Sequence, residues 1–169
     1  ECPLLNINIK SFKKNCIIPR FFIHINRESN AIINLNLNNK DSFLNGAFEI
    51  HLESDSKVDF FSHSEGNKSL EIMNYWVDIN KQANLSATFT SLGSEQIIKN
   101  DIRTNLIGKK ASVDLAGLYT PKPKSTIDYN LKINHKTKKT ISSQLFKGIL
   151  NENSKASFTG LVKIDKDCS

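Results

Sequence analysis

Apolar and polar residues alternate along most of this 169-residue chain, the period-2 pattern of strands half buried against a core. The pattern predicts strands over 4–9, 17–25, 43–52, 70–79, 96–107, 126–134, 141–150 and 156–164. Pro19-Arg20 interrupts the second, which suits a strand start or an edge. Between these segments a second motif recurs: a polar corner, a small residue, then an alternating strand. Ser29-Asn30-Ala31-Ile32 opens one such unit, and Ser56-Lys57-Val58, Ala83-Asn84-Leu85, Ala111-Ser112-Val113 and Ser154-Lys155-Ala156 open others. The first four openings lie roughly 27 to 28 residues apart, within the period range of solenoids. Each period therefore supplies two strands and two corners.

No segment carries a helical pattern. The best candidate, 71–79, holds Tyr75, Trp76 and Val77, which are strand formers, and no cap or glycine stop frames it. A unit of two short strands cannot bury its apolar face alone, so the units must stack and share a continuous interior. Even strand spacing without helices suits a stacked β-helix or a β-sandwich. Gly46, Gly66, Gly93 and Gly108 are expected at turns or bulges, where a positive φ or a close backbone approach is needed. The stretch 119–125, with Pro121 and Pro123, reads as an exposed crossover between coils.

Composition changes this picture little. A length of 169 residues suits one domain with a real core, and 38% apolar with 24% charged residues is the balance of a soluble globular chain. No run approaches the ~18 apolar residues of a membrane span. The chain begins without Met and without a leader-like segment, and the expectation is a soluble intracellular protein. Cys2, Cys16 and Cys168 form an odd set without metal-ligand spacing, so they are expected to be isolated thiols.

The net charge of +6 is unevenly placed: about −1 over 1–100 and +7 over 101–169. Lys109, Lys110, Lys122, Lys124, Lys132, Lys136, Lys138 and Lys139 make up most of the excess. Nucleic-acid binding is not expected, because no aromatic residues interleave with these lysines and no recognition motif accompanies them. The chain is rich in Asn, Ile and Lys throughout, as an AT-rich genome would make it, and that bias raises the basic count without any partner.

Catalytic chemistry finds little support. There is no G-x-S-x-G elbow and no Cys near a His. Ser62-His63-Ser64-Glu65-Gly66 reads as a polar turn after a strand. His24, His51, His63 and His135 show no paired spacing for zinc. His24 and His51 are expected on strand faces, and His135 at a corner with its imidazole bonded to turn backbone.

One stretch, 135–164, carries a denser signature. His135 is followed by Thr140, Ser142 and Gln144 at alternate positions, then by Phe146-Lys147-Gly148, and later by Phe158 and Gly160. These residues resemble the core of the SufB/SufD family, the scaffold proteins of SUF iron-sulfur cluster assembly. Upstream, Ser91-Leu92-Gly93, Asn100-Asp101, Leu106, Gly108, Ala111, Leu115 and Gly117-Leu118-Tyr119 continue the match. Gln144 with Leu145-Phe146-Lys147-Gly148 is closer to SufD than to SufB. Lys138 departs from the family, which usually has Pro there, and so leaves the turn conformation open.

The resemblance implies a right-handed parallel β-helix over a single core domain, 1–169, without the helical segments that flank the family core. The chain is then a core fragment, a trimmed chain or a reduced protein. It also implies a non-catalytic scaffold that works in a complex with a SufB-like protein and the ATPase SufC, with sulfur supplied indirectly by a cysteine desulfurase. The setting is the bacterial cytoplasm or a plastid-type organelle, with no nucleic acid and no membrane involved. No cofactor is expected on this core alone; an iron-sulfur cluster would form transiently on the complex. The signature positions His135, Thr140, Ser142, Gln144, Lys147, Gly148, Phe158 and Gly160 are expected to be structural or at an interface, not catalytic or metal-binding. Cys168 stands where relatives commonly have Gln, so no ligand role passes to it. The alternative reading is an exported or independent β-helical carbohydrate-active enzyme or adhesin.

Overall fold

The computed structural model describes residues 2–151, 153–166 and 168. They form a parallel β-solenoid of about six turns, with no helix among them. One sheet stacks β1 (Leu4–Ser11), β4 (Asn30–Lys40), β6 (Lys57–Asn67), β8 (Asn84–Ser94), β10 (Ser112–Pro121) and β12 (Ile141–Gly148). The facing sheet stacks β13 (Lys155–Ile164), β11 (Thr126–His135), β9 (Ile97–Leu106), β7 (Leu70–Ile79) and β5 (Phe43–Leu52). Two short strands, β2 (Cys16–Ile17) and β3 (Arg20–Ile25), complete that sheet by both pairing with β5. Pro19 lies in the break between them; it has no N–H to give a ladder, so the strand restarts beyond it at the sheet edge.

Every pairing between strands is parallel and in register from coil to coil, so residues one period apart form columns. Inside the second sheet, Phe21, Phe48, Tyr75, Ile102 and Leu131 make one column, ending at Gly160. The column two further along the strands reads Ile25, Leu52, Ile79, Leu106, His135 and Ile164. Aromatic rings pack in series through the interior: Phe48 and Tyr75 are stacked with centroids 5.8 Å apart, and Tyr129 and Phe146 are tilted at 5.1 Å. The alternation in the sequence is thus the inside-outside alternation of coils whose outer faces meet solvent.

The corners differ from expectation. No glycine has a positive φ; the left-handed residues are Glu28, Asp55, Gln82, Lys110 and Lys139 at one set of corners and Lys13, Lys14, Asp41, Lys68, Glu95, Lys124 and Asn153 at the other. Polar residues carry these corner conformations at roughly 1 kcal/mol each, and of the two roles expected for the glycines it is close approach that holds, at a corner for Gly108. Gly46, Gly66 and Gly93 lie within strands. A Cβ on Gly66 would sit 2.6 Å from the Gln96 amide nitrogen and 2.8 Å from the Ser69 hydroxyl. The stretch 119–125 is likewise no special crossover: 119–121 end β10 and the rest is an ordinary corner within one coil, with Pro121 buried above Gly93. Ser62-His63-Ser64-Glu65-Gly66 lies inside β6 rather than in a turn, because β4 and β8 pair with it on both sides.

Candidate functional site

The signature residues gather at the last coil and the end of β11 below it: His135 ends β11, Thr140 lies in the corner after it, and the rest lie in β12 and β13. Ser142 continues the column of Val113, Gln144 that of Leu115, Phe146 that of Gly117 and Gly148 that of Tyr119. Opposite them, Phe158 continues the column of Tyr129 and Gly160 that of Leu131. Gln144 reaches across the coil, its amide oxygen 3.3 Å from the position a Gly160 Cβ would take. Lys147 alone has the opposite parity and points outward.

His135 takes the place that Leu and Ile hold in lower coils, and it is buried. Its Nδ1 lies 2.7 Å from Thr140 Oγ1 and its Nε2 3.0 Å from Ser142 Oγ. Thr140 donates its only proton to the Thr137 carbonyl at 3.1 Å. It follows that Nδ1–H donates to Thr140 and that Ser142 donates to Nε2, which fixes one neutral tautomer. The imidazole therefore bonds to side chains, with Thr140 relaying to the turn backbone, rather than to the backbone directly as the sequence suggested. Burial lowers its pKa below the ordinary histidine value. Lys138 leaves this corner intact: Lys139 takes the left-handed position with φ of 60°. His135→Ala is expected to cost about 1–2 kcal/mol in urea denaturation, the usual loss for a buried pair of hydrogen bonds; an unchanged midpoint would remove the structural role.

This end of the solenoid is open. β12 and β13 are each paired on one side only, and Ile141, Leu145, Phe158, Leu161, Val162 and Ile164 are exposed. Inward-facing Phe158, Val162 and Ile164 would be core residues in any lower coil. Unpaired strand edges beside exposed apolar side chains can take up a further β layer, from this chain or from a partner.

The other histidines lie elsewhere. His24 and His51 are register neighbours on the outer face of the second sheet, as expected, and His63 bonds Thr90 at 2.7 Å on the first. Among the described residues no group of three His, Cys, Asp or Glu side chains could hold a metal ion. Cys2, Cys16 and Cys168 are unpaired. No helix among the described residues is long and apolar enough to cross a membrane. Of the basic excess, Lys109, Lys110, Lys136, Lys138 and Lys139 sit on one side of corners and Lys122 and Lys124 on the other.

Sequence reasoning missed Glu71. It is fully buried, with Oε2 accepting hydrogen bonds from the Asn39 amide and from Ser64 at 2.8 Å. Burial pushes its pKa up to about 7, and burial also raises the hydroxyl pKa values of Tyr75 and Tyr129. Its inward parity in β7 was the available signal.

Comparison with known families matches residues 7–169 to the description "SUF system FeS cluster assembly, SufBD core domain". Neither a search of curated proteins nor one of solved structures found a match.

Proposed function

Since the chain belongs to the SufBD core-domain family of SUF iron-sulfur cluster assembly, we propose that it serves that machinery as a scaffold subunit of the SufD type. In this reading it works through a complex with SufB and the ATPase SufC and performs no reaction of its own. The family match over 7–169 carries the reading. Gln144 with Leu145-Phe146-Lys147-Gly148 favours SufD over SufB.

The open end gives the reading a physical form. A second β-helical core covering β12 and β13 would satisfy two strand edges, bury Phe158, Val162 and Ile164, and bring Leu145 and Leu161 to the rim of the junction. His135, Thr140, Ser142 and Gln144 would then line the interior next to that junction, and Lys147 would lie at its rim. The cluster is cargo here, built at the level of the complex with sulfur from a cysteine desulfurase, in the bacterial cytoplasm or a plastid-type organelle. The 169 residues act as one β-helical core.

Co-expression with SufB and SufC from the same genome tests this. The expected result is retention of both partners on the tagged chain, and loss of SufB from the Leu145→Glu, Leu161→Glu double variant, whose exposed positions leave the fold intact. No co-purification of SufB with the unmodified chain would overturn the assignment. Retention of SufB by the double variant would overturn the placement of the junction.

A further inference from the structure

Where each strand of the second sheet turns into the next strand of the first, the corners carry two files of exposed side chains up the solenoid. The left-handed residues Glu28, Asp55, Gln82, Lys110 and Lys139 form one file, and Arg27, Ser54, Lys81, Lys109 and Lys138, each one residue earlier, form the other. In the first coils the files neutralise themselves. Arg27 lies 3.2 Å from Glu28 and 4.0 Å from Asp55, and the Gln82 amide donates to Asp55. Above them the files hold Lys81, then Lys109 and Lys110, then Lys138 and Lys139, all exposed. Among the described residues none of these five lysines has an acid within ion-pair distance.

The last two of these corners stack in step. Lys136 N–H donates to the Leu106 carbonyl at 3.1 Å and Ile141 N–H to the Ala111 carbonyl at 3.0 Å, so residues 107–110 and 136–139 bridge the same span one above the other. Lys109 therefore lies beneath Lys138 and Lys110 beneath Lys139, with backbones roughly 4.8 Å apart. The bond from Gln82 N–H to the Lys109 carbonyl, at 3.0 Å, brings the Lys81 corner alongside. The nearest acids are engaged elsewhere: Asp78 accepts from Asn105, Asp114 from Ser143, and Asp165, beside Lys136, is paired with Lys163 at 3.0 Å. Like charges thus stand together without compensation from the chain.

The backbone adds a donor at the same place. In the lower corners the left-handed residue gives its N–H to the coil above: Glu28 to the Ser54 carbonyl at 3.0 Å, Asp55 to Lys81 at 2.9 Å and Gln82 to Lys109 at 3.0 Å. Lys110, with φ of 64°, makes no such bond to the Lys138 corner, so its N–H is left for an outside acceptor. Compact ammonium groups around a turn N–H, without an arginine fork or an aromatic face, suit a phosphate oxyanion and not a nucleobase. The spacing narrows the ligand further. Carboxylates on one face of an extended peptide lie roughly 6.6 Å apart, wider than the step between these corners, whereas linked phosphates place several charges within it. We propose that this ridge binds a short chain of linked phosphate groups, its oxygens held by Lys109, Lys110, Lys138 and Lys139 and by the Lys110 N–H, with Lys81 at one end.

Calorimetric titration of the intact chain with sodium tripolyphosphate at pH 7.5 is expected to show one saturable site, half-filled at or below about 100 µM, and weakened severalfold as salt rises from about 50 to 200 mM. The Lys110→Gln, Lys139→Gln double variant should bind at least tenfold more weakly; Gln82 already holds the same left-handed conformation, so the corners keep their shape. Lys109→Ser with Lys138→Ser, patterned on Ser54, should give the same loss without touching a left-handed position. Lys122→Gln with Lys124→Gln removes equal charge from the opposite corner and should leave binding within twofold. Orthophosphate is expected to bind at least tenfold more weakly than tripolyphosphate. ATP binding as tightly as tripolyphosphate would identify a nucleotide's phosphate tail as the source, and weaker ATP binding an inorganic polyphosphate. Equal weakening by the two Lys→Gln pairs would overturn the proposal, since only the net charge would then matter. So would the absence of saturable heat below about 5 mM, or tighter binding of hexaglutamate, which would make the ridge a surface for an acidic protein segment.

Discussion

Glu71→Gln is expected to stabilise the protein by roughly 3 kcal/mol at pH 8 and to remove most of the pH dependence of its stability between pH 4.5 and 7. The cause is a carboxyl group held inside the solenoid. Its pKa rises from 4.5 to about 7 because burial penalises the charged form, against the smaller opposing effects of Ser64 and Asn39. Between those two values the folded chain keeps a proton that the unfolded chain has lost, so stability is greatest below pH 4.5 as far as this group is concerned and falls until pH passes 7. Gln is the neutral isostere: its carbonyl can still accept from Asn39 and Ser64, and its amide takes the place of Glu71 Oε1, which has no hydrogen-bond partner among the described residues. Urea unfolding followed by circular dichroism at pH 5, 6, 7 and 8 measures this. Parallel stability curves for parent and variant would show that Glu71 does not titrate in this range. The dependence left in the variant should run the opposite way, because His135 is held neutral: the unfolded chain takes up a proton below pH 6.5 before the folded one does.

Gly108→Ala is expected to destabilise by about 3 kcal/mol or more, enough to unfold a marginal domain. Gly108 lies at the corner between β9 and β10, and a Cβ there would land on the backbone of Asn80 and Lys81 in the corner of the preceding coil, closer than van der Waals contact allows. Backbone cannot move aside as a side-chain tip can, and the Gly108 N–H is tied to the Ile79 carbonyl at 3.2 Å. Gly160→Ala is the informative comparison. Gly160 belongs to the signature, yet its Cβ would meet only the Gln144 amide and the Phe158 ring at 3.3 Å or beyond, and a cost below about 1 kcal/mol is expected. Thermal melts of the two variants decide it. A Gly108→Ala protein that melts with the parent would mean that the coils are spaced more loosely at this corner.

Strands were legible in the sequence because their signal is local: a residue's parity within its own strand decides whether it faces in or out. The pairs Phe48 and Glu49, or Val77 and Asp78, needed no knowledge of neighbours. The corners were legible as polar breaks but not in their conformation. A close-packed stack of coils demands a left-handed residue at each corner, and here Lys, Asp, Glu, Gln and Asn supply it where glycine was expected. Ser62 to Gly66 looked like a turn because its composition is polar, and only the strands on either side hold it extended.

The sequence by itself determined the all-β class, the period near 27 residues and the family signature from His135 to Gly160, because each depends on residue type and spacing along one chain. The tertiary structure alone decided that the signature lines the inside of an open last coil, that Glu71 is enclosed among Asn39 and Ser64, and that Lys109, Lys110, Lys138 and Lys139 share one ridge. In a solenoid a side chain's neighbours come mainly from coils a full period or more away. Burial, pKa and the clustering of charge are therefore set by the register between coils.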